Sequence, residues 1–186
     1  MFDLNSYFDL IINTPILRGL TLVTLSIVVA KLVDMVFTFI FKRVVNKTKT
    51  TLDDRILQLL HKPIFYSILF VGFIVSTKTI ALPDYIEFFL IGFFKTVTII
   101  IWLFVTSKIL VMSMDWASRQ TASNKVLQRN TLPLFNNLGK IAIGLFGAYF
   151  IFLSWDININ GILASADVLG VVLGLAAKDT VSNFFA

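Results

Sequence analysis

The chain has no cysteine and a single histidine, His61, in 186 residues. Without cysteine there is no disulfide framework and no thiolate metal site, and one imidazole does not supply a zinc cluster. Charge is scarce too. Asp, Glu, Lys and Arg make up 15% of the sequence, against about 25% in an ordinary soluble domain. No activated nucleophile, paired carboxylates or metal-ligand set converge by sequence, so an enzyme is the least supported class and no cofactor is called for. What the chain has instead is apolar bulk: 57% hydrophobic residues, with 19 phenylalanines. That is the composition of a chain dissolved in lipid.

Five apolar segments are long enough to cross a hydrocarbon core, which takes about 20 helical residues. They run from about Pro15 to Phe41, Ile64 to Leu82, Tyr85 to Met112, Leu132 to Trp155 and Ile162 to Ala177. At that depth each lipid-facing amide has to bond within its own segment. The expected fold is therefore an all-α membrane protein of five transmembrane helices, the last with an interfacial continuation. The first segment does not read as a cleaved signal peptide, because Asp3 and Asp9 precede it and further spans follow.

The formal charge of +5 belongs to segment ends rather than to an aromatic-interleaved surface, which argues for anionic headgroups as partners and against nucleic acid. Lys42, Arg43, Lys47, Lys49, Arg55 and Lys62 lie between spans one and two, and Arg119, Lys125 and Arg129 between three and four. The second connection has Lys78 against Asp84 and Glu87, and the fourth has Asp156 with no basic residue. Lys and Arg mark the cytoplasmic side, so the amino terminus is expected outside and the carboxyl end in the cytoplasm. Trp155 and Trp116 read as interfacial belt residues, while Trp102, inside span three, faces lipid or a neighbouring helix.

Residues 46–61 read as a turn followed by a short amphipathic helix at the inner surface, since Leu52, Ile56, Leu59 and Leu60 recur at helical spacing. Thr50 or Thr51 is its expected cap, and Asp53 and Asp54 suit the amino-terminal dipole. His61 then falls in a loop or helix start, and Pro133 is expected to open the fourth helix. Within the spans, Lys31 and Asp34 are three residues apart and are expected to neutralise one another. Lys95 is expected to snorkel outward, and Lys140 lies near the cytoplasmic end of its span.

The fifth segment is built differently. Gly170, Gly174 and Ala177 or Lys178 recur at spacing that lets two helix backbones approach closely in lipid. Beside them runs the apolar stripe Ala164, Val168, Val171 and Leu175. With the glycines seated on a neighbouring copy, Val171 and Leu175 would point to a central axis and form a constriction that blocks ions by dewetting. Such spacing marks ordinary helix packing in most spans that contain it, as inside a transporter or membrane scaffold without a pore. After Ala177 the sequence turns polar at Lys178, Asp179, Thr180, Ser182 and Asn183, while Val181, Phe184 and Phe185 keep an apolar stripe. An amphipathic continuation along the inner interface is expected, with Asp179 capping it after a bend.

Here the sequence resembles a known family. VLGLAAKDTVSNFFA is similar to the pore-helix signature of the small-conductance mechanosensitive (MscS-like) channels, and QRNTLPLFNNLGKIAIGLFGAYFIFLSWDININGIL to the helix and outer turn that precede it. The likeness is strongest over about residues 126–186. It implies a homoheptamer in which Val171 and Leu175 are gate rings and Gly170, Gly174, Val172 and Ala176 pack against neighbours. Ala177, Lys178, Asp179, Ser182 and Asn183 would form the bend and inner mouth. Lys178 replaces a common Gln, and Asp179 stands where the best-known member has a hinge glycine. The implied division is 1–131 as a peripheral sensor region, 132–157 as the fourth helix and 158–186 as the pore-lining helix with its continuation. The cytoplasmic β and α/β domains of the family are absent from these residues, so a subunit ending at Ala186 would stop inside its own pore-proximal helix. The implied function is a cell inner-membrane ion channel, opened by tension and releasing ions and small solutes on hypoosmotic shock, with membrane lipids as further partners. The alternatives are a secondary transporter subunit, which would want interrupted helices with polar groups at the midplane, and a non-conducting membrane scaffold.

Overall fold

A computed structural model describes residues 14–45, 51–120 and 125–185. It contains five long helices and, among the described residues, no strand: α1 Pro15–Val45, α2 Thr51–Thr79, α3 Asp84–Gln120, α4 Lys125–Ser154 and α5 Asn160–Phe185. Each contains a stretch long and apolar enough to cross a membrane, from 19 residues in α5 to 33 in α3. The chain is an all-α, multi-pass membrane protein. Large apolar side chains such as Met35, Phe104 and Leu145 stand exposed along the helices, as lipid contact requires.

Helices α1 to α4 pack as a ribbon in which, among the described residues, each touches only its neighbours in sequence. The cross-helix contacts give the direction. Along α1 and α2, Gly19 meets Ser76 and Ile80, Ser26 meets Gly72, and Asp34 meets His61, so the pair is antiparallel. Small residues close this seam. A side chain at Gly72 would collide with Ser26, Ala30 is fully buried, and the Ser76 hydroxyl donates to the Gly19 carbonyl at 2.8 Å. Such an interhelical bond contributes about 0.6 kcal/mol on average in lipid.

The α2–α3 seam is aromatic. Phe94 packs between Phe70 and Phe73 at centroid distances of 5.8 and 5.3 Å, and the Trp102 indole donates to Ser67 Oγ at 2.9 Å. Trp102 is thus tied to the neighbouring helix. In the α3–α4 seam, side chains of α3 or of the turn beyond α4 cover glycines: Leu110 over Gly139, Leu103 over Gly147, and Trp155 over Gly92. Trp155 also donates to Thr96 Oγ1 at 3.0 Å and meets Phe88 and Phe89 edge-on, fixing the end of α4.

Three local expectations are overturned. The amphipathic piece before His61 is no separate surface helix; from Thr51 it continues into α2 with Pro63 inside, and Thr50 lies outside the described residues. Pro133 does not open the fourth helix, which begins two turns earlier at Lys125. Proline removes one backbone bond and crowds the preceding turn, but neighbouring helices can absorb that cost in a membrane; Pro63 is fully buried. Asp34 does not neutralise Lys31. Its carboxylate lies 2.9 Å from His61 Nε2 on α2, with Thr38 Oγ1 at 3.2 Å from the same nitrogen and Phe37 edge-on to the ring.

Candidate functional site

Helix α5 is launched by a tight reversal. Asp156 takes a left-handed φ of 50°, and the Trp155, Asp156 and Ile157 amides bond back to the last turn of α4. Asn158 Oδ1 then accepts from the Asn160 amide at 3.0 Å, satisfying one of the donors that a helix start leaves open. Ile159 is buried at the base of the helix.

Beyond Ile159 the packing stops. Every residue from Asn160 to Lys178 is exposed, and α5 packs against none of the other helices among the described residues. Val171 and Leu175 are 64% and 68% exposed and Val172 57%. A Cβ added at Gly170 or Gly174 would meet nothing within 4 Å. Ala176, Ala177, Lys178, Ser182 and Asn183 are likewise exposed, and the Asp179 side chain lies outside the described set.

The helix runs without interruption from Asn160 through Asp179 to Phe185. The expected second helix start, capped by Asp179, is not formed; the following residues continue the same helix.

Because the helix is continuous, its side chains can be placed by the turn of about 100° per residue. Gly170, Gly174 and Ala177 share one face. Val171 and Leu175 lie roughly 100° around from it. Val172 and Ala176 lie about 100° further in the same sense. They therefore occupy not the glycine face, as expected from the sequence, but a second face on the other flank of the Val171 and Leu175 stripe. Two charges fall close to the stripe itself: Lys178, and Asp167 one turn above Val171. Sequence reasoning passed over Asp167; its position inside the apolar run was the available signal.

The two ends of the ribbon differ in charge, one mixed and the other basic. Lys78, Asp84, Glu87, Lys95 and Asp156 surround an open cavity of about 320 Å³ at the α2–α3 turn end. Arg55, Lys62, Lys108 and Lys140 gather at the other. Lys108 was also passed over. No group of three or more His, Asp or Glu positioned for a metal occurs among the described residues.

The sequence is 27% identical over 173 residues to the small-conductance mechanosensitive channel MscMJ of Methanocaldococcus jannaschii, covering 92% of this chain and 49% of that protein. It is 23% identical over 175 residues to an uncharacterised MscS family protein of Aquifex aeolicus, covering 87% of this chain and 44% of the other. The chain thus spans about half the length of the curated relatives it matches. No family model and no solved structure matches it.

Proposed function

On the premise that the chain is MscS-like along its membrane-spanning length, we propose that it is the membrane region of an ion channel opened by bilayer tension, with α5 lining the conduction path. The observation that carries this reading is an apolar helix that, among the described residues, packs against no other helix of its subunit and is exposed from Asn160 to Lys178. Its glycines have open space where those in the α1–α4 seams have neighbours.

The three faces of α5 suit a closed ring of identical helices. In a head-to-tail ring each subunit meets one neighbour on each side through different surfaces. The Gly170 and Gly174 face would receive one neighbour and the Val172 and Ala176 face the other. Val171 and Leu175, lying between them, then face the axis as two apolar rings that hold back ions by dewetting. Asp167 above and Lys178 below give the path a negative entrance on one side and a positive one on the other. Seven subunits, and Ser182 and Asn183 at the inner mouth, follow from the family likeness.

Tension favours whichever state has the larger area in the membrane plane, shifting a closed-to-open equilibrium as a state-selective ligand would. The α1–α4 ribbon offers the lipid-facing area on which tension acts, and its only covalent link to α5 is the short 155–159 connection. Gathering of basic residues at one end of the ribbon supports placing that end in the cytoplasm, with the amino terminus outside and the inner membrane as the site of action. Release of ions and small solutes on hypoosmotic shock is the physiological role this implies. The test is reconstitution: a ring with α5 innermost in electron-microscope images, and tension-gated conductance in patches from the same liposomes, are expected. A ring without conductance under tension would make the chain a scaffold.

A further inference from the structure

Three lysines sit inside candidate spans at a common level. Lys62 is seven residues past Arg55, where the second span begins; Lys108 is eight before Trp116, where the third ends; Lys140 is seven past Pro133, where the fourth begins. At about 1.5 Å per residue each lies roughly 10–12 Å inside its span. The spans of α2 and α3, 25 and 33 residues, overshoot the roughly 20 needed. The α4 span, at 22 residues, hardly overshoots, so Lys140 lies deepest, and the flexible lysine stems can carry the ammonium groups toward the lipid phosphates at the edge of the hydrocarbon.

Antiparallel packing turns equal depth into convergence. The three lysines and Arg55 line one open cavity of about 950 Å³. None of its lining residues is acidic, and none of the four cations has an ion-pair or hydrogen-bond partner among the described residues. Cations at membrane depth are costly unless paired, and four of one sign around a single space repel one another. An anion in the cavity removes both costs.

The deeper wall identifies the kind of anion. Ile101, Phe104 and Val105, which lie further into the α3 span than Lys108, also line the cavity, with Tyr66 past Lys62 on α2 and with Gln58 and Ser107 as further polar lining. A free phosphate has no use for that apolar extension, whereas a lipid places its phosphate at the cations and its acyl chain along it. We propose that this cavity between α2, α3 and α4 binds an anionic phospholipid, the phosphate held by Lys62, Lys108 and Lys140, with Arg55 at the mouth. The site includes no residue of α5 and stands whether or not α5 lines a pore.

The test uses the purified chain in detergent, with retained lipid read by native mass spectrometry and stability by thermal unfolding. The probes are dioleoylphosphatidylglycerol, dioleoylphosphatidylcholine and inorganic phosphate. Retention and stabilisation by phosphatidylglycerol over phosphatidylcholine are expected. Each of Lys62→Gln, Lys108→Gln and Lys140→Gln should weaken retention about fivefold, and all three together about a hundredfold. Lys78→Gln, at the opposite end, should leave it unchanged. Equal retention of the two lipids, or a triple variant that retains lipid as the parent does, overturns the proposal. So does equal stabilisation by inorganic phosphate alone, which would make this a simple anion site. Should the triple variant not fold, Lys108→Arg against Lys108→Gln decides: the arginine variant keeps the lipid and the glutamine variant loses it, and equal loss in both overturns the assignment.

Discussion

The glycines of α1 to α4 and those of α5 serve the same packing device in two settings. Gly19, Gly72, Gly92, Gly139 and Gly147 each lie against a side chain of another segment of the same chain, closely enough that an added Cβ would force a rearrangement or a tight contact. Gly161, Gly170 and Gly174 have nothing within 4 Å, and in the ribbon the same holds for Gly144, an exposed residue of α4 outside the seams. In lipid, where apolar surface alone does not draw helices together, small residues set where backbones can meet. A subunit that uses this device inside its ribbon and leaves it unused along one helix is finished in the first region and unfinished in the second.

That contrast can be broken by substitution. Gly72→Leu should have the largest effect, because its side chain enters the space held by Ser26; overpacking of this kind costs about 2–3 kcal/mol, readable as a lower unfolding temperature of the subunit in detergent. Gly174→Leu should shift subunit unfolding by less than about 1 kcal/mol yet prevent ring assembly, seen as a smaller species in native mass spectrometry. Equal subunit destabilisation by both would erase the distinction. Leu175→Ser leaves the ribbon untouched and removes an apolar side chain worth about 1.5–3 kcal/mol when shielded from water. Lower opening tension and a resting leak are expected in patch recordings, and unchanged gating would take Leu175 off the axis.

Within the ribbon smaller steps are expected. Trp155→Phe loses the bond to Thr96 Oγ1 while keeping most of the ring, a cost of about 1 kcal/mol. His61→Ala removes a partly exposed pair with Asp34 and should cost less than about 1 kcal/mol, measured by the same unfolding assay.

The sequence carries the spans clearly, since a run such as 85–112 has few readings other than a helix across lipid. Helix ends were harder. Pro133 reads as a helix start because proline breaks isolated helices, and only the surrounding helices make an interior proline tolerable. The partner of Asp34 was sought on its own helix, whereas the α1–α2 register brings His61 from 27 positions away in sequence. The basic cavity was hidden for the same reason. Lys62, Lys108 and Lys140 are unremarkable singly, and their shared level emerges only once three helices are laid side by side. In α5 the converse holds: the spacing of Gly170, Gly174, Val171 and Leu175 can be read directly, because among the described residues that helix has no tertiary neighbour to complicate it.

The one-after-another packing of α1 to α4 has a mechanical corollary. Elements joined end to end behave as springs in series: the same load passes through every joint, displacements add, and the softest joint dominates the stretch. Among the described residues, a pull on α1 reaches α5 across three seams and then the 155–159 connection. Stiffening the α1–α2 seam would therefore change little if the connection is the compliant link, whereas stiffening that connection would couple α5 more directly to the bilayer.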